Sequence, residues 1–170
     1  MQNLRNVLGL PVLETVTGTQ IGEVQEVVLD VERAVVIGIV VASANWFTHD
    51  QGIAFGDIFS IGRNAVMVRS RKVIRDTAIC FPEYGSYHLQ ELFEKPIFTE
   101  AGVQLGILVD ITFDEATGEI KEYQISDGLF TDLLYGRMMM PLPRAQVVGQ
   151  DKLIVPELMT RLLHAETDLK

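Results

Sequence analysis

Gly102-Val-Gln-Leu-Gly106-Ile-Leu-Val-Asp110-Ile-Thr-Phe-Asp114 is the stretch that decides how this chain is read, because an earlier stretch repeats it. Residues Gly18-Thr-Gln-Ile-Gly22-Glu-Val-Gln-Glu26-Val-Val-Leu-Asp30 stand about 84 positions before it, a spacing that implies duplication of a whole small domain. Gly18 matches Gly102, Gly22 matches Gly106, and Asp30 matches Asp114. Apolar residues coincide at Ile21/Leu105, Val24/Leu108, Val27/Ile111 and Leu29/Phe113. Within each copy these positions change parity: 21 to 24 and 24 to 27 are odd steps, 27 to 29 an even one. A straight strand keeps parity. The long strand in each copy, about Ile21–Asp30 and Leu105–Asp114, is therefore expected to bend or bulge near Val24 and Leu108, as closing a small sheet requires.

Outward from this strand the copies stay parallel. Leu4, Val7, Leu8 and Pro11 are answered by Leu89, Leu92, Phe93 and Pro96, and the spacings of three and four imply one helical turn before each barrel. Each proline opens a first strand, Pro11–Thr15 and Pro96–Thr99. After the long strand comes a hairpin turn (Asp30–Arg33, Asp114–Glu119) and a third strand (Val35–Val41, Ile120–Ser126). Val35-Val-Ile-Gly-Ile-Val-Val41 is apolar on both faces, so its outer side must also be covered. Irregular excursions follow, Ser43–Gly52 and Asp127–Arg137. The second is read as a helical turn carrying Leu129, Leu133 and Leu134. Closing strands flank Gly62-Arg-Asn64 (Phe55–Ile61, Val66–Val68) and Gly149-Gln-Asp151 (Leu142–Val148, Leu153–Val155), turns of hairpin composition. The tail Glu157–His164 has apolar residues at 158, 159, 162 and 163 behind Pro156, the pattern of a short amphipathic helix. The organisation expected is a first barrel-like domain at 1–76, a linker at 77–87, and a second domain at 88–170 that includes the C-terminal helix.

Composition narrows the class. Apolar residues at 48% and charged residues at 22% exclude a disordered chain. Fourteen Lys and Arg against twenty-three Asp and Glu give net charge −9, so the overall field repels nucleic acid and only a local basic patch could bind it. The single cysteine, Cys80, permits no disulfide within the chain and points to a reducing compartment. No apolar run approaches the ~20 residues of a membrane span, and the first residues lack a secretory pattern. A cytoplasmic protein is expected.

The lead-in, the proline strand, the Gly-x-x-x-Gly strand ending in Asp and the closing pair around a Gly turn together resemble the PRC-barrel, over about residues 4–69 and 89–156. That module occurs in the H subunit of photosynthetic reaction centres and at the C-terminus of the ribosome maturation factor RimM. The resemblance implies an all-β fold of two tandem, mostly antiparallel barrels. It also implies a role in binding other macromolecules, with no shared catalytic residues. A membrane anchor of the reaction-centre kind and an N-terminal domain of the RimM kind are both missing from this sequence.

Residue chemistry agrees with a binding protein. The repeated glycines precede β-type segments and no Gly-Lys-Ser/Thr follows, so they are turn residues, not a phosphate loop. His49, His88 and His164 lack metal-ligand spacing, and Asp110, Asp114 and Glu115 are read as solvated turn carboxylates. Cys80 is read as a partly buried linker thiol. No catalytic, cofactor or metal residues are assigned. Contact residues for a protein partner are sought among Trp46, Phe47, Tyr84, Tyr87, Met138, Met139 and Met140, since aromatics and methionine are enriched at binding surfaces; they equally serve to plug barrel ends. The alternative is an RNA- or ribosome-associated factor using Arg63, Arg69, Arg71, Lys72 and Arg75. The expected function is a non-enzymatic adaptor without cofactors, and a homo-oligomer is compatible with it.

Overall fold

The computed structural model describes residues 1–42, 50–127, 137–143 and 146–165. Its strands in the first copy are β1 (Gln2–Asn3), β2 (Pro11–Glu14), β3 (Gln20–Asp30), β4 (Val35–Ala42), β5 (Gln51–Ala54), β6 (Ile58–Ile61), β7 (Val66–Val68) and β8 (Arg75–Asp76). Helix α1 (Thr77–Cys80), β9 (Ser86–His88) and helix α2 (Leu89–Leu92) follow. The second copy has β10 (Pro96–Thr99), β11 (Gln104–Phe113), β12 (Ile120–Ser126), β13 (Met138–Pro141), β14 (Val147–Val148), β15 (Leu153–Val155) and β16 (His164–Ala165). Two compact units result: residues 1–91 with 113–120, and residues 92–112 with 121–170.

One topology is written twice. The first sheet runs β6-β7-β2-β3-β4-β5-β8 and the second β14-β15-β10-β11-β12-β13-β16. In each, the closing strand returns parallel to the proline strand, Val12 beside Val66 and Ile97 beside Leu153, while the other pairings with a defined register are antiparallel. The matched apolar residues form the cores: Val24, Val27 and Leu29 in one, Leu108, Ile111 and Phe113 in the other strand, all buried. The expected helical turns of the lead-in are present as a 3-10 turn at Leu4–Asn6 and as α2, and Leu4, Val7, Leu89 and Leu92 are buried.

In the first copy the bend expected near Val24 is present as a register shift, and both copies carry a further shift at Ile21 and Leu105. On one edge of β3, Val12 faces Gly22 and Leu13 faces Gln20, leaving Ile21 extra; in β11, Leu105 is extra in the same way. On the other edge of β3, Val24 faces Val41 and Glu26 faces Val40, so Gln25 is a bulge beside Val24. The repeated aspartates close the hairpins, Asp30 Oδ1 accepting from the Arg33 N–H at 2.9 Å and Asp114 Oδ1 from the Ala116 N–H at 2.8 Å. The outer face of β4 is covered as its sequence demands: the Phe81 ring, just after α1, lies against Gly38 and Gly52.

Three expectations change. The tail does not form an amphipathic helix. Glu157–Arg161 is a 3-10 turn leading into β16, the counterpart of the 3-10 turn Arg71–Val73 leading into β8. Of the apolar stripe, Met159 is buried, while Leu158 and Leu162 are exposed. Two strands, β5 and β13, stand where only excursion or loop was expected. The stretch read as a linker carries α1 and β9, and β9 is hydrogen-bonded to β3 with Val28 opposite His88 and Asp30 opposite Ser86. The helical turn expected within Asp127–Arg137 falls on 128–136, outside the described residues.

Candidate functional site

Of the candidate contact residues, Tyr84 and Tyr87 belong to the first compact unit and Met138, Met139 and Met140 to the second. Tyr84 is the most exposed of those described, at 87%, in the loop between α1 and β9, and Ile79 on α1 is also exposed. Tyr87 is half-buried, opposite Leu29 in the β9–β3 pairing. Met139 and Met140 leave the candidate surface altogether: β13 is flanked by β12 and β16, and both side chains are core, at 4% and 0% exposure. Met138 is half-buried at the same strand's start. Trp46 and Phe47 lie outside the described residues.

The basic stretch is partly neutralised from within. Glu14, buried at the end of β2, accepts from the Arg71 N–H and from the Thr17 hydroxyl, both at 2.6 Å, and has the Arg71 guanidinium 3.7 Å away. The Thr17 hydroxyl first, and the Arg71 N–H next, hold the Glu14 carboxyl below the usual glutamate range. Arg75 pairs with Asp57 at 2.5 Å. Arg69 stacks its guanidinium 4.3 Å from the centre of the Phe59 ring. Among the described residues no carboxylate lies within ion-pair distance of Arg63, Arg69 or Lys72. Two of the five cations are thus tied to carboxylates, and the residual patch is smaller than its sequence density implies.

The residues that sequence reading missed are a matched pair of buried acids. Glu26 and Asp110 occupy the same position in the two copies and are 8% and 2% exposed, so Asp110 is not a solvated turn carboxylate. Each accepts a hydrogen bond from the next residue's N–H, Val27 to Glu26 Oε1 at 2.9 Å and Ile111 to Asp110 Oδ1 at 2.8 Å. In the first copy the bulge at Gln25 moves Glu26 to the face of Val40 and Gly38, opposite Val24 and Val27, and there the segment carrying Phe81 buries it. The parity change between Val24 and Val27 is the signal for it in the sequence, since such a break displaces every later side chain by one face.

Around Glu26 lies a cavity of about 250 Å³ lined by Gln25, Val40, Asp50, Thr77, His88 and Gln90. Burial pushes the Glu26 carboxyl up, opposed by the Val27 and Gln90 N–H groups and by the charge of His88. A raised carboxyl favours the folded state below the ordinary glutamate range and loses that contribution as pH climbs through the raised folded value. Glu26→Gln should therefore melt higher than the parent at neutral pH, with the difference shrinking in acid. Parallel melting curves at all pH values would show that Glu26 is not desolvated.

Other ionisable groups do not converge. Burial pushes the Cys80 thiol up, away from nucleophilic character. Tyr123 is buried, its hydroxyl bonded to Gln146 Oε1 at 3.0 Å and its phenol pushed up to about 12. Among the described residues no group of three or more His, Cys, Asp or Glu is placed to hold a metal ion. A wider cleft of about 830 Å³ is lined in part by the amides of Gln2, Asn3 and Asn6 together with Ile61, Arg63 and Glu115. Among the described residues no helix is long and apolar enough to cross a membrane.

Two small sheets of identical strand order, each closed by a parallel return strand, define a tandem β-barrel protein. The chain belongs to the PRC-barrel family, whose domain model matches it twice, over residues 1–75 and 85–159. The second match begins before β9, so that strand belongs to the second copy by sequence although it is bonded to β3. A search of curated proteins found no match to the chain.

Proposed function

We propose that this protein is a non-enzymatic adaptor that holds a protein partner, using the segment Thr77–His88 of its first unit as the contact surface. The observation that carries this reading is the distribution of exposed apolar side chains. Ile79 at 71% and Tyr84 at 87% stand out from a segment that is itself anchored, by Phe81 against β4 and β5 and by β9 against β3. Anchored aromatic and aliphatic side chains lose little conformational entropy on binding, the property that makes a contact energetically dominant. Nearby, Arg75 pairs with Asp57 and Asp76 accepts from the Ala78 N–H, which supports binding over catalysis.

Affinity capture with the full chain, compared with Ile79→Ser and Tyr84→Ser, tests the reading. At least one specific partner should be weakened about tenfold or more by the substitutions, the loss expected of a hot-spot residue. A partner set held equally well by parent and variants would remove the contact surface from this segment. Charge reversal at Arg63, Arg69 and Lys72 addresses the RNA-associated alternative, which draws on the cations that lack carboxylate partners. On the adaptor reading co-sedimentation with ribosomes is unchanged; a salt-sensitive association abolished by the reversal would favour the alternative.

A further inference from the structure

The cavity beside Glu26 has a size and chemistry that select a ligand. At about 250 Å³ it is smaller than the roughly 300–1,000 Å³ of small-molecule and cofactor sites, and suits a single side chain. Its lining contains a nine-tenths-buried carboxylate whose acceptor capacity is only partly used. A carboxylate offers about four acceptor positions, and the protein supplies Glu26 with the Val27 and Gln90 N–H groups. Asp50 adds an exposed carboxylate, Gln25 and Gln90 add amides, Thr77 a hydroxyl, and Val40 an apolar wall. The charged or titratable groups facing Glu26 are His88 and Glu91 together with Asp50 in the lining, so the balance is acidic when the imidazole is neutral.

We propose that this cavity receives one basic side chain, arginine or lysine, presented by a protein partner. The inference rests on the adaptor reading and names the partner's chemistry. An alkyl stem against Val40 with its cationic head toward Glu26 and Asp50 offsets the desolvation that burial imposes on Glu26, through charge-assisted hydrogen bonds. Net charge −9 draws a basic partner toward the chain and disfavours an acidic one. Gln25, which bulges from β3, thereby both sets Glu26 on the outer face beside Val40 and lines the cavity that uses it.

The test titrates the full ¹⁵N-labelled chain with Nα-acetylarginine amide, Nα-acetyllysine amide and the uncharged Nα-acetylcitrulline amide. Saturable amide shifts confined to Gln25, Glu26, Thr77, His88 and Gln90 are expected with the two cations and not with citrulline. Glu26→Gln and Asp50→Asn should each weaken them about tenfold. Absent shifts, equal shifts with citrulline, or shifts scattered over the surface and insensitive to Glu26→Gln would overturn the site. The same variants are then assayed on the partner captured through Ile79 and Tyr84. Loss of its affinity in Glu26→Gln supports the proposal. Full retention, with the amides still dependent on Glu26, means that the cavity takes a free small cation, which overturns the partner side chain but leaves the adaptor standing. Amide binding with no partner captured at all overturns the adaptor reading and with it the partner side chain, and leaves the cavity as a site for a small cation.

Discussion

Gly106→Ala is expected to destabilise the protein by about 3 kcal/mol and to lower its melting temperature by on the order of 10 °C. Two causes act together. Gly106 has φ +144°, a conformation that L side chains rarely adopt, and a Cβ built there stands 2.5 Å from both the Ile125 Cγ2 and the Ser126 carbonyl oxygen. Ile125 can turn aside; the Ser126 carbonyl belongs to β12 and cannot without distorting that strand. Two companions separate the terms. Gly102 has φ +83° with open space around it, so Gly102→Ala carries the conformational cost alone, roughly 1–2 kcal/mol. Gly22 has no positive φ, and its Cβ would meet Val41 Cγ1 at 2.2 Å and the Ala42 carbonyl oxygen at 2.9 Å, so Gly22→Ala carries the contact alone. Thermal and denaturant unfolding should rank Gly106→Ala as the most damaging of the three. Equal stability of Gly106→Ala and parent would mean that the strands do not approach as described.

The glycine pair also shows what the sequence discloses and what it withholds. The matched glycines, aspartates and four apolar positions were visible because duplication preserves side chains whose roles are local: a turn, a close approach, a core position. Ala42 and Ser126, Val41 and Ile125 are the same neighbours in the two copies, so one backbone crossing explains both Gly22 and Gly106. The double-sided apolar run at Val35–Val41 announced that something covers it, and Phe81 does. What stayed hidden depends on pairings distant in sequence. Ser86-Tyr-His88 is too short and too polar to read as a strand; it is one only because the edge of β3 beyond β2 is open to receive it. Met138–Pro141 reads as an adaptable surface until β12 and β16 flank it. Glu26, two residues after Val24, shares its face under strict alternation, and the Gln25 bulge turns it to the outer face beside Val40, where Thr77 and His88 line the cavity around it. The tail stripe at 158, 159, 162 and 163 satisfied helical spacing, yet the second copy repeats the 3-10 turn of the first.

The seat of Phe81 yields the second large effect. Gly38→Ala should cost about 3 kcal/mol, because its Cβ would lie 2.3 Å from the Ile53 carbonyl oxygen and 2.5 Å from Phe81 Cε1. Gly52→Ala meets only side chains, Phe81 at 2.8 Å and Thr77 Cγ2 at 3.3 Å, and should cost about 1–2 kcal/mol by pushing the ring off the sheet. Removing the ring distinguishes the two glycines. In a Phe81→Ala background the Gly52→Ala penalty should nearly vanish, an interaction of roughly 1 kcal/mol in a double-mutant cycle, while most of the Gly38→Ala penalty persists through Ile53. Additive effects at Gly52 and Phe81 would place the ring elsewhere. Phe81 closes α1, whose Ile79 projects to solvent and whose Thr77 lines the cavity at Glu26. Loosening the ring should therefore raise amide exchange across Thr77–Cys80 and weaken partner binding before global unfolding does, because Phe81 against two glycines holds the α1 end of the proposed contact segment while β9 holds the other.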